Sequence, residues 1–331
     1  LTNVILHALV TILVWYTVRM LNSRVRQTLP SRGTHANPGS SSTLVRPARD
    51  GMRIAQHFNA GEQGGEALPS AVGTTEFQSL AIATIAALIF AIHPLNVETV
   101  AWINGRMMLL STLFGICGIL TFARWLDRLR WLDAFLTLLF MVLSALSKVR
   151  AGLPLLLLLV AMMRGDWRRP RFWPVWVVAG ALTVIFAWIN IDATAQADLF
   201  SEAAEHLQGP RAVRVLLALD NYFTHVVWPA GLTSYYPTPP VVGWSDPQTL
   251  RALFVTGIAA CLLAVSAWRV PAARWGIAWF FIALADTLPF IPARNVLAAD
   301  RYMYLPLVGL LWALAAVGLH LYSRFPPLPI S

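Results

Sequence analysis

The chain has 331 residues, 57% hydrophobic and only 12% charged, with 14 Trp and a mean hydropathy of +0.61. This excludes a two-domain water-soluble enzyme and describes an integral membrane protein, because each crossing takes about 20 apolar residues. The net charge of +9 rests on 24 Arg and a single Lys, Lys148, dispersed along the sequence; dispersal excludes a nucleic-acid-binding stripe and assigns the excess to membrane orientation.

Apolar runs bounded by charge predict an all-α bundle of about nine membrane spans, over residues 2–21, 77–93, 107–124, 132–147, 151–163, 173–190, 249–268, 275–291 and 304–322. The chain reads as one membrane domain over 1–331. After the first span, residues 22–76 are rich in Ser, Gly, Pro and Arg, with Phe58 the only aromatic. Such a stretch cannot bury a core and is expected to be a disordered cytoplasmic loop. Placing it inside puts 17 cations on that side and 8 on the other, the sign of the positive-inside rule. The connections 93–106, 147–150, 191–248 and 292–303 then face outward, so any chemistry is extracytoplasmic.

The first outward constellation is HPLNVETVAWINGR, 93–106. A continuous helix over 96–106 would put Glu98, Trp102 and Arg106 on one face. They would serve either a polar substrate, with His93 beside them, or a structural Glu98–Arg106 pair with Trp102 as interfacial anchor. The second is Ser147-Lys148-Val149-Arg150, two cations on the side where cations are scarce. An anionic headgroup or diphosphate would account for them; snorkelling at a helix end is the alternative. Cys117 and Cys261 fall inside apolar runs and support neither a disulfide framework nor a thiolate cluster.

Residues 191–248 form the longest outward stretch and are expected to lie along the membrane interface. Acidic and apolar positions recur at helical spacing over 195–220, and Trp228-Pro229 through Tyr235, Tyr236 and the following prolines build a rigid aromatic platform. The last constellation, 283–306, holds Asp286, Arg294, Asp300, Arg301 and Tyr302. Buried charges need partners, so Asp300 and Arg301 should find theirs in other loops, as a structural pair or as part of a site clamped by Tyr302 and Tyr304. His7, His206, His225 and His320 lack metal-ligand spacing, and no HExxH, CxxC, P-loop or GxGxxG occurs. Neither a metal nor a nucleotide cofactor is expected.

Four segments in order, FAIHPLNVETVAWINGRMMLLSTLF (90–114), the SK and Leu-rich run (147–159), VWPAGLTSYYP (227–237) and AADRYMYLPLVGL (298–310), resemble the membrane portion of the transmembrane-and-tetratricopeptide-repeat proteins and their bacterial relatives. The opening LTNVILHALVTILVW (1–15) resembles the Asn/His-containing helix that precedes them. The resemblance implies a GT-C-type glycosyltransferase of the inner membrane. It would pass a sugar, typically mannose, from a polyprenyl-phosphate donor to a protein or glycan acceptor on the outer face, without a metal. An acidic residue would act as base while cations hold the leaving phosphate. Carried over by motif, His93, Glu98 and Arg106 line the site, Lys148, Arg150 and Arg301 hold phosphate, and Asp300 positions Arg301 or binds the sugar. The resemblance also implies an acidic outer loop upstream of Leu1, carrying the general base, and repeats after the membrane domain. The sequence shows no 34-residue repeat, and 22–76 is longer than that family's connection. A non-catalytic membrane scaffold or lipid-binding protein that keeps the phosphate pocket is the alternative. A transporter or flippase ranks below both, since no inverted repeat is visible.

Overall fold

The computed structural model describes residues 1–27, 71–196, 209–239, 243–289 and 296–324. They form an almost wholly helical assembly: α1 Thr2–Gln27, α2 Ala71–Ile92, α3 Val97–Ala101, α4 Arg106–Arg128, α5 Trp131–Ser147, α6 Leu153–Arg164, α7 Phe172–Gln196, α8 Arg211–Val227, α9 Pro247–Arg269, α10 Pro271–Ala285 and α11 Tyr304–Arg324. Two short strands, β1 Tyr236–Pro237 and β2 Val296–Ala298, pair antiparallel.

Each of the nine apolar runs is a helix, but they are not equal in length. Among the described residues five helices are long and apolar enough to cross a membrane, and α2 with α3 makes a sixth if that pair, bent by 56°, is one span. The remaining three, Trp131–Ser147, Leu153–Arg164 and Pro271–Ala285, are shorter than a full crossing. The run expected to end at 291 begins at Pro271 and stops at Ala285, where the Thr287 amide and hydroxyl both turn back to the Leu284 carbonyl. The flanks of the expected 22–76 loop are helical, because α1 continues to Gln27 and α2 starts at Ala71; its interior lies outside the described residues. Likewise α7 runs on to Gln196, so 191–196 belongs to that helix and not to the interfacial stretch. Of the 195–220 helical expectation, residues 211–220 form the first part of α8, and 197–208 lie outside the described residues.

Helix ends follow the local chemistry. Prolines stand in the first turns of α6, α9 and α10, where their missing N–H costs nothing. Gly165 closes α6 at φ +72°, a left-handed position suited to glycine. α10 and α11 cross almost backbone on backbone: a Cβ on Gly309 would stand 2.5 Å from the Gly276 carbonyl oxygen. Trp279 ties the pair by donating to the Leu305 carbonyl at 3.2 Å. Between α4 and α5 the adhesive is polar, Ser144 donating to the Ser111 carbonyl at 2.8 Å and Thr137 to Thr121 at 3.1 Å. The main core lies among α1, α2, α4, α6, α10 and α11, around Phe90, Ile116, Leu156 and Trp312. A smaller one lies under α8, where Val213, Leu217, Tyr222 and Phe223 meet Phe280, Leu297 and Met303. By contrast, only 6% of the apolar window of α9 is buried, leaving Phe254, Leu262 and Trp268 facing outward.

Candidate functional site

Described residues of four connections, 93–106, 148–152, 228–239 and 296–303, meet in one place. Their contacts document it: Glu98 reaches Arg301, Lys148 reaches Tyr302, and Tyr236 pairs with Ala298. Elsewhere, the turns after α4 and α6 are joined by Arg164, which is ion-paired to Asp127 and Asp166.

The 93–106 segment is not one helix. Pro94 forces His93 into extended backbone (φ −65°, ψ 129°) and ends α2. The Leu95 amide donates to His93 Nδ1 at 3.2 Å, so the proton sits on Nε2, which donates to the Val226 carbonyl at 3.3 Å. Both ring nitrogens are thus engaged in holding the corner, and burial lowers the imidazole pKa. After one and a half turns of α3, Trp102 becomes extended (φ −82°, ψ 133°) and a 3₁₀ turn, Ile103–Gly105, leads into α4. Gly105 packs on the Thr99 carbonyl so closely that a Cβ would sit 2.1 Å from its oxygen.

This break corrects the expected shared face of Glu98, Trp102 and Arg106. Arg106 turns to Asn3 of α1, donating from Nε to Oδ1 at 3.4 Å, while Asn3 donates to the Trp102 carbonyl at 2.9 Å. Glu98 pairs instead with Arg301: Oε1 accepts from Nη1 at 2.5 Å and Oε2 from the Arg301 amide at 2.8 Å. The same Nη1 donates to the Ser234 carbonyl at 2.6 Å. The guanidinium lies over the rings of Trp102 and Tyr302, 5.0 and 5.1 Å from their centroids.

Tyr302 is shared, because Lys148 Nζ stands 4.7 Å from the same ring. Lys148 is half-buried, and its pKa is pushed down to about 7 by burial first and then by Arg150 and Arg301. Arg150 is 2% exposed. Its Nη2 donates to Met108 Sδ at 3.1 Å, and among the described residues Nε and Nη1 have no partner. Glu98 being committed to Arg301, Asp286 is the countercharge shared by Lys148 and Arg150. Asp300, buried beside this group, accepts from the Tyr236 hydroxyl at 3.1 Å, and burial raises its pKa to about 6. Tyr236 itself is pushed up to about 12, mainly by burial.

Of the residues singled out in the sequence, Glu98, Trp102, Lys148, Arg150, Tyr236, Asp300, Arg301 and Tyr302 thus gather in one place, whereas Arg106 and His93 brace its edges. Sequence reasoning missed the role of Asn3, whose amide locks the 102–106 break, and took Ser234 only as part of the aromatic platform, since it acts through its carbonyl and so leaves no side-chain signal. Among the described residues no three His, Cys, Asp or Glu side chains converge as metal ligands. Two recesses adjoin the cluster: one of about 440 Å³ between α1 and the α2–α3 corner, lined by His7, His93, Asn96 and apolar side chains, and one of about 310 Å³ beneath Tyr236.

The chain matches no family model, and no curated protein or solved structure is significantly similar to it.

Proposed function

We propose that the chain spans a membrane about nine times as a GT-C-like bundle, and that the cluster at its outer end binds the phosphate of a polyprenyl-phosphate-linked sugar. On this reading it is a glycosyltransferase of the inner membrane, passing mannose to an extracytoplasmic protein or glycan acceptor. The observation that carries it is Arg150: a buried guanidinium with two nitrogens unpartnered, beside the ammonium of Lys148. Buried donors of this kind are costly unless an acceptor meets them, and a phosphate oxygen is the acceptor a guanidinium and an ammonium share. The aromatic rings of Trp102 and Tyr302 and the outward apolar face of α9 suit a ligand with a polar head and a long hydrocarbon tail. The order of the four motif segments supports the same reading.

In this scheme Lys148, Arg150 and Arg301 offset the charge that develops on the departing lipid phosphate. Asp300 is the carboxylate suited to take the acceptor's proton, since its pKa of about 6 lies near neutrality and Glu98 has both oxygens occupied. The purified chain in detergent should bind polyprenyl-phosphate mannose. Lys148→Ala should weaken that binding by roughly tenfold or more, the worth of a charge-assisted contact. Asp300→Asn should keep the binding and lose transfer. Absence of donor binding would sink the proposal. Binding without transfer in the unaltered chain would favour the second reading, a non-catalytic lipid-binding scaffold, to which the full commitment of Glu98 to Arg301 already lends support.

A further inference from the structure

The recess beneath Tyr236 is separate from the cation cluster and differs from it in character. Its walls are α8 and the start of α9, with β1 and Pro239 beside them, and its floor is apolar, from Leu217, Pro237 and Leu297. Asp220 and Arg251 face each other across it, Oδ2 to Nη2 at 3.7 Å, so their charges cancel and the recess favours neither an anion nor a cation. Around this pair stand Asn221, Thr224, His225 and Gln248, which supply amide, hydroxyl and imidazole groups.

These groups touch one another only at long range. Thr224 donates to Asp220 Oδ1 at 3.2 Å, Arg251 reaches the Thr224 hydroxyl at 3.4 Å, and His225 Nδ1 stands 3.4 Å from Asn221 Oδ1. Contacts at or beyond the long end of the usual range leave donor and acceptor capacity for a ligand. The rings of His225 and Tyr236 stack with centroids 5.3 Å apart and planes inclined by 27°, making an aromatic wall. Burial, with Arg251 nearby, lowers the His225 pKa, and hydrogen bonds to the backbone of Asn221 and Ala230 hold the ring in place.

We infer that this recess is a binding site for a neutral saccharide ring. Vicinal hydroxyls need several planar, fixed donors and acceptors at once, and the C–H face of a sugar needs an aromatic wall; both are present here without a net charge. The volume of about 310 Å³ stands at the lower end of the ~300–1,000 Å³ typical of small-molecule sites, room for a sugar unit or two and not for a folded partner segment. The site stands independently of the transferase reading. If that reading holds, this is the acceptor's place, because the Tyr236 hydroxyl that borders the recess also donates to Asp300.

Saturation-transfer NMR on the full chain in detergent, with methyl α-mannoside, N-acetylglucosamine and maltotriose as probes, tests it. At least one probe should bind. Gln248→Ala, at an exposed side chain, and Arg251→Lys, which keeps a cation facing Asp220 but loses the planar fork of donors, should each weaken that binding by about tenfold, as loss of a hydrogen-bonding partner predicts. The same two variants should bind polyprenyl-phosphate mannose as the unaltered chain does, and Lys148→Ala should keep the sugar while losing the lipid. Failure of every probe, or binding indifferent to both recess variants, would overturn the inference. Sugar binding with no donor binding would overturn the transferase reading alone.

Discussion

Arg301 shows how much one side chain is asked to do at this site. It closes an ion pair with Glu98, fixes the 234 loop through a carbonyl and lies against two aromatic rings. With side chains only 16% and 9% exposed, the pair is largely shielded, and removing one partner strands the other. Glu98→Ala should therefore destabilise the chain by ~3–5 kcal/mol, read as a lower thermal midpoint in detergent, with Glu98→Gln less severe. Lys148 has a different signature. A phosphate binds its charged form, which prevails well below pH 7, falls to half near it and is lost as the pH rises further. Affinity for polyprenyl-phosphate mannose should accordingly fall as pH rises from 6 to 8, and Lys148→Arg, charged throughout, should flatten the profile. The residue types of this site were legible in the sequence because ionisable groups in an apolar chain are conspicuous. Their pairing was not: Glu98 lies 203 positions from Arg301 and only eight from Arg106, and spacing alone favours the near partner.

At the scale of elements, helix positions were readable from apolar runs ended by Arg, Pro and Gly, whereas the break inside 96–106 was not. Nothing in VETVAWIN forbids a helix. The chain turns there because Asn3 captures the Trp102 carbonyl and Gly105 lets the backbone fold onto Thr99, both of them tertiary effects. Gly105→Ala should consequently displace Trp102 from Arg301 and lower donor affinity, although alanine is the better helix former. The glycine crossing of α10 and α11 is likewise intolerant. Gly309→Val places atoms where the Gly276 carbonyl and Trp279 already stand, and a loss of ~1–3 kcal/mol or more is expected, measurable as a lower thermal midpoint in detergent.

For the whole molecule, contacts between distant segments gather the polar connections into one cluster, while the turns after α4 and α6 meet separately at Arg164. On the proposed membrane orientation, Ser234→Cys should react with an impermeant maleimide from outside and Arg168→Cys only after permeabilisation, in a chain with Cys117 and Cys261 replaced; labelling of both from one side would refute that orientation. The Glu98–Arg301 pair also has a meaning during synthesis. Its acid emerges on α3, just after the second apolar helix, and its base only just ahead of the last apolar helix described. On the proposed orientation, Glu98 stands at the membrane surface without its partner until the segment ahead of α11 is made, and a chain interrupted before that point cannot settle it. The ion pair is in this sense a closing stitch, which forms only once the segment ahead of α11 has come back to the corner after α2.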